Sequence, residues 1–216
     1  MSARSWSALC FAILAATVAA QERSLPKVVL VGDSIRMGYA PFVANLLEGK
    51  AVIVSAKANG EDTSNVLRHL EAWVIKEQPA IVHINAGLHD LKLKDKSYQV
   101  PLADYEKNLK TIVERIRQET KASIVFATTT PILDTLHAER KAGFDRFEAD
   151  VQKYNATAAS VMKQLAVPIN DLHQVVESGG KEALMLRDGT HYTEEGYQVL
   201  AKAVVESIRQ SLSTRR

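Results

Sequence analysis

Short β-branched and apolar runs alternate with longer stretches whose apolar positions recur every three or four residues, starting at Lys27 and continuing almost to the C-terminus. Residues 28–31, 52–54, 81–84, 124–127 and 167–169 have the length and β-branched content of strands buried on both faces. Between and after them, the spacing predicts helices over 41–48, 64–76, 103–119, 144–165 and 193–212. In the third of these, Leu109, Ile112, Val113 and Ile116 share one face, while Glu106, Lys107, Lys110, Glu114 and Arg115 occupy the others. Pro101 and Asp104 suit that helix's first turn, and Thr193 suits the cap of the last helix.

Strands that alternate with helices predict an α/β domain: a three-layer α/β/α sandwich on a five-stranded, mainly parallel, flavodoxin-like sheet. No internal repeat, low-complexity tract or Pro/Gly/Ser-rich linker divides the chain. Sheets of this kind bind ligands beyond the carboxyl ends of their strands. Here those loops read Gly32-Asp33-Ser34-Ile35, then 58–63 with Asn59, Gly60, Glu61 and Asp62, then Asn85 to Asp90 with Gly87 and His89, then Thr128-Thr129-Thr130-Pro131. Polar and glycine-rich loops therefore gather at one edge of the sheet.

The first residues follow a different pattern. A basic start through Arg4, an apolar run from Trp6 to Ala16 and the small residues Val18-Ala19-Ala20 read as a secretory signal with cleavage after Ala20. The run falls short of the roughly 18–20 residues a spanning helix needs. The expected organisation is a signal at 1–20 and one domain over 21–216, exported to the periplasm or the outside, with no stable membrane insertion after processing. The sole cysteine, Cys10, lies within the signal, and Leu9 before it is a poor fit to a lipid-attachment site. A mature chain without cysteine has no thiolate nucleophile, which leaves serine as the leading covalent candidate.

Hydrophobic residues make up 46% and charged residues 24% of the 216, an ordinary globular balance. The net charge is +2, with both signs scattered and no basic block interleaved with aromatics, so no nucleic-acid partner is expected. His69, His83, His137 and His173 do not pair with one another or with cysteine at ligand spacings, and His83 falls inside a strand. No metal or cofactor is expected.

Two short segments carry chemistry. Gly32-Asp33-Ser34 follows the first strand directly, where a hydroxyl can be held at a helix N-terminus and exposed to substrate, although Asp33 or Ser34 can equally serve as an ordinary helix cap. Asp188-Gly189-Thr190-His191 places an acid three residues before a histidine, just ahead of the last helix. That spacing supplies a base and the carboxylate to orient it, and it also fits a solvated turn. Asn59 and Asn85 are further candidates for the pocket edge, Asp90 for a loop anchor, and Tyr192 for pocket wall or core.

Together, Gly32-Asp33-Ser34, Gly60, Gly87-x-x-Asp90 and Asp188-x-x-His191 resemble the motif set of SGNH, or GDSL-type, hydrolases. The resemblance runs from Val28 to the last helix and is closest to a branch whose third block reads Gly-Leu-His-Asp. It implies a serine carboxylic-ester hydrolase with Ser34 as nucleophile, His191 as base and Asp188 orienting it. It further implies an oxyanion site formed by the Ser34 and Gly60 N–H groups and by position 89. That position is His89 where the family commonly has asparagine, so its donation would depend on tautomer and pH. The expected substrate is a small-molecule or carbohydrate ester with a short acyl group such as acetyl. A lysophospholipase- or thioesterase-like acyl hydrolase and a catalytically silent carbohydrate-binding scaffold are the alternatives.

Overall fold

The computed structural model describes residues 25–214, so the export segment read at 1–20 lies outside the described residues. Five parallel strands form the central sheet: β1 (Lys27–Val31), β2 (Val52–Ser55), β3 (Ile81–Asn85), β6 (Ser123–Ala127) and β7 (Ile169–Asn170). Their order is β2-β1-β3-β6-β7 and every pairing is parallel, which is the flavodoxin-like arrangement expected. β3 is buried along its whole length, as is β1 after Lys27, whereas edge strand β2 exposes Val52. The near-continuous apolar runs follow from this, since helices cover both faces of the inner strands.

Helix α1 (Ser34–Leu46) packs with the last helix, α8 (Glu194–Ser213), which also meets α6 (Leu172–Gly179). The helices α2 (Thr63–Leu70), α3 (Leu102–Glu119) and α5 (Glu148–Gln164) form a second group. α2 runs on through one wide turn of π-helix, Glu71–Ile75. Two short helices, α4 (Asp134–Glu139) and α7 (Lys181–Leu184), and a small hairpin of β4 (Leu93–Lys94) and β5 (Ser97–Tyr98) complete the chain. No described helix is long and apolar enough to cross a membrane.

Two helix starts differ from the periodicity. The first helix begins at Ser34, not at Pro41, because the Asp33 carboxylate accepts the Ile35 N–H and opens the helix directly after β1. Pro41 sits inside it. The helix expected from residue 144 begins only at Glu148. Asp145 and Leu93 exchange backbone hydrogen bonds of 2.8 and 2.9 Å, which pulls the segment before α5 into extended chain against the β4–β5 hairpin.

Candidate active site

Ser34 stands at the junction of β1 and α1, at the point of the sheet where the strand order reverses between β1 and β3. Its N–H belongs to the first helical turn, where amides have no partner within the helix. The side chain is half-exposed, and its Oγ lies 2.9 Å from His191 Nε2. His191 Nδ1 in turn lies 2.6 Å from Asp188 Oδ2. Ser34 and His191 are 157 positions apart, and the fold brings them together because α1 and α8 pack side by side.

The turn that holds the acid and the base is built locally. Asp188 Oδ1 accepts the N–H groups of Thr190 at 3.0 Å and His191 at 2.9 Å, leaving Oδ2 for the imidazole. Gly189 between them adopts φ +68°, and a Cβ there would meet His137 N and Leu133 O, both at 2.6 Å, so a side chain is excluded by conformation and by space. Partial burial opposes ionisation of Asp188, but the hydrogen bonds from His191 and Thr190 outweigh it and bring its pKa to about 2. The carboxylate therefore stays charged at working pH, and a His191 that donates Nδ1–H to it leaves Nε2 as acceptor for the Ser34 proton.

Gly60 is buried and touches the β1–α1 turn. Its N–H donates to the Gly32 carbonyl at 2.9 Å, and a Cβ on Gly60 would lie 2.5 Å from that same oxygen. The amide that the family resemblance assigns to the oxyanion is thus already engaged. The Asn59 side-chain oxygen accepts from Glu61 N–H, and Asn85 donates to the Ala127 and Thr128 carbonyls.

Arg36 fixes the two loops to each other. Its guanidinium, 2% exposed, donates to the carbonyls of Gly32, Ala56 and Ala58 and to Ser55 Oγ. Asp90 ties the third loop to the start of α2 by accepting both the N–H and the hydroxyl of Thr63. Burial raises the Asp90 pKa to about 7, against the lowering effect of the two Thr63 hydrogen bonds.

His89 Nδ1 lies 2.9 Å from Lys92 Nζ. An ammonium can only donate, so Nδ1 accepts and the ring proton resides on Nε2, which makes His89 a neutral donor from that nitrogen. Burial, reinforced by the charges of Lys92 and Arg146, holds its pKa at about 3. The expectation that donation from His89 varies with tautomer and pH is therefore corrected: within the neutral range it is fixed by the lysine three residues on. Lys92 Nζ and Arg146 Cζ lie 4.9 and 4.8 Å from the centroid of the Phe144 ring. Lys92 and Arg146 are among the residues near the site that sequence reasoning overlooked, as are Arg36 and Arg140, whose Nη1 lies 3.9 Å from Asp188 Oδ2. The i to i+3 spacing of His89 and Lys92 was a visible signal, whereas Arg146 was concealed by the helix expected from residue 144.

The remaining histidines have structural surroundings. His83 is fully buried against Asn170, His69 stacks on Trp73, and His137 bonds Thr190 Oγ1. Tyr192 is buried in the core. Glu148, His173 and Glu177 present ligand atoms within 4.8 Å of one another, but Glu148 already binds His173 and accepts the Ile132 N–H.

The model of the GDSL-like Lipase/Acylhydrolase family matches residues 30–199, a span that includes Ser34, Gly60, His89, Asp188 and His191. A human protein named isoamyl acetate-hydrolyzing esterase 1 homolog is 23% identical over 207 residues, covering 88% of this chain and 84% of that protein. Among solved structures, a lipase/acylhydrolase from Enterococcus faecalis superposes with a TM-score of 0.74 at 23% identity, over 86% of this chain and 96% of that one. Axe2, an acetylxylan esterase from Geobacillus stearothermophilus, gives 0.68 at 20% identity, over 85% and 94%. These structural likenesses speak for the fold.

Proposed function

We infer that this chain, which belongs to the GDSL-like lipase/acylhydrolase family and is an ester-hydrolysing enzyme, cleaves esters of small acyl groups through an acyl-Ser34 intermediate. The observation that carries the mechanism is the unbroken relay of Ser34 Oγ, His191 and Asp188, with contacts of 2.9 and 2.6 Å. His191 Nε2 takes the hydroxyl proton as Ser34 Oγ attacks the ester carbonyl, and Asp188 stabilises the imidazolium that forms. Collapse of the tetrahedral adduct breaks the bond to the alcohol, which leaves with the proton from His191. Water, activated by the same imidazole, then adds to the acyl-serine and releases the acid.

Negative charge on the adduct oxygen is received by the Ser34 N–H and by His89 Nε2–H, whose tautomer Lys92 sets. Gly60 N–H contributes only if it is shared with, or released from, the Gly32 carbonyl. Its first duty in the resting protein is to join the two loops.

A short acyl group, acetyl in particular, is supported by the names of the relatives, one an isoamyl acetate-hydrolyzing esterase homolog and another an acetylxylan esterase. The second name also favours a carbohydrate as the alcohol. Export with cleavage after Ala20 is proposed on the composition of the first 20 residues and is checked by N-terminal sequencing of the secreted product.

The test is labelling with a fluorophosphonate followed by peptide mapping, alongside p-nitrophenyl esters from acetate to octanoate. Adduct on Ser34 with the highest kcat/KM at acetate is expected. Rates that climb toward octanoate would favour a lipid-like acyl hydrolase, and a folded protein with neither label nor turnover would refute the esterase mechanism.

A further inference from the structure

Arg146 takes no part in the chemistry above, and its surroundings are unusual for a buried cation. The residue is 4% exposed, yet among the described residues its guanidinium has no hydrogen bond and no ion pair. Nε is fully enclosed without an acceptor; the two Nη groups are not among the enclosed orphans, so they reach surface that solvent touches. What holds the group is the Phe144 ring, shared with Lys92.

Its charge acts on groups of the site. Asp33 and Asp188, which bracket the Ser34–His191 pair along the chain and at the end of the relay, both interact with its charge, as do His89 and Lys92. The Phe144 ring that carries the guanidinium also meets the His137 ring at 5.8 Å between centroids, His137 bonds Thr190 Oγ1 beside His191, and Lys92 on the same ring bonds His89, so the guanidinium lies next to the cleft in which Ser34 reacts. Were its purpose to neutralise Asp33, the two would be paired, but Asp33 Oδ2 is itself buried without a partner. A guanidinium whose Nε is enclosed without an acceptor and whose side chain is almost wholly desolvated is costly to the folded protein, and its Nη groups face the side from which a ligand can supply acceptors.

We propose that Arg146 is a substrate-binding residue that takes a carboxylate on the alcohol half of the ester, so that the preferred substrate is an acylated acidic alcohol of the uronic-acid class. A planar two-oxygen anion matches the geometry of a single guanidinium fork. Lys92 is bound to His89 and adds its charge without competing for the same oxygens. The assignment to the alcohol half rests on the short-acyl reading given above, because an acetyl group has no room for a second charged function.

Two acetate esters separate the possibilities: 4-acetoxybenzoate, which is anionic, and 4-acetoxybenzamide, its neutral counterpart. The wild-type protein is expected to prefer the benzoate in kcat/KM, and Arg146→Gln is expected to reduce that preference about 10- to 100-fold, chiefly through KM. Absence of any preference in the wild type overturns the proposal. So does equal slowing of both esters by Arg146→Gln, which would make the guanidinium a donor to the oxyanion instead.

Calorimetric titration with 4-hydroxybenzoate reads the subsite without turnover. Binding to the wild type that disappears in Arg146→Gln supports it even if neither ester is hydrolysed, an outcome that would refute the esterase reading alone. Binding of inorganic phosphate with no binding of 4-hydroxybenzoate overturns the choice of a carboxylate. Melting supplies a control: removal of an unpaired buried charge should leave the melting temperature equal or higher, and a fall of several degrees would reveal a structural role and overturn the proposal.

Discussion

Replacing Arg36 by methionine keeps most of the apolar stem but removes every side-chain donor through which Arg36 joins the Ser34 turn to the Gly60 loop. The guanidinium makes contacts of 2.7 Å to Ser55 Oγ, to Ala56 O and to Ala58 O, and of 2.9 and 3.2 Å to Gly32 O. The Gly32 carbonyl keeps its bond from Gly60 N–H in the variant, so the loss falls on the other three acceptors. Hydrogen bonds from a charged donor contribute about 1.5–3 kcal/mol each, and water can reach the half-exposed Ala56 and the exposed Ala58. Relief of the buried charge offsets part of the remainder, which leaves a net destabilisation of about 2–4 kcal/mol. For a domain of this size that corresponds to a fall in Tm of roughly 5–15 °C. Urea unfolding at neutral pH measures the difference directly, with an unchanged m-value indicating that only stability has moved. Turnover of p-nitrophenyl acetate below the melting range should also drop, because the loop carrying Gly60 loses the guanidinium strap and keeps only the Gly60 N–H to Gly32 carbonyl bond to the nucleophile turn. A loss smaller than about 1 kcal/mol with full activity would show that backbone bonds alone hold the two loops.

Asp188→Asn should lower kcat by about 10³- to 10⁴-fold with little change in KM, because an amide facing Nδ1 favours the tautomer whose Nε2 is already protonated; steady-state kinetics with p-nitrophenyl acetate decides, and a loss below tenfold would argue against the relay. His89→Asn should leave the shape of the kcat/KM profile unchanged between about pH 5 and 9, since His89 titrates at about 3 and is neutral throughout that window. An inflection present in the wild type and missing from the variant would contradict this. Asp90 has its pKa raised to about 7 in the folded state against 3.8 for the ordinary group, so the folded protein binds more protons between those values and its stability falls as pH rises through the window. Denaturant titrations of wild type and Asp90→Asn from pH 4 to 8 should therefore diverge by a few kcal/mol, the wild type losing relative stability with increasing pH; parallel curves would refute the assignment.

The sequence by itself determined the features that arise from short-range chemistry. β-branched runs and helical periodicity marked all five sheet strands and the helices α2, α3, α5 and α8 to within a few residues, but not α4, α6 or α7. The Asp188 to His191 spacing already contained a turn in which one carboxylate meets both a backbone amide and the imidazole. Even so, Pro41 concealed a helix opened seven residues earlier by the Asp33 cap, and apolar spacing past residue 144 hid a segment made extended by pairing with Leu93.

Only the tertiary structure decided how each group is electrically and sterically committed. Whether Gly60 N–H is free depends on the Gly32 carbonyl that β1 brings against it, and whether His89 is charged depends on its burial and the cations packed around it. Arg146 is left without a hydrogen bond because the Phe144 ring against which it packs offers no acceptor, and Asp33 and Asp188 from two distant segments act on it only through space. Burial and through-space charge are properties of the assembled chain, since the free energy of a proton or a hydrogen bond is set by neighbours that local sequence does not specify.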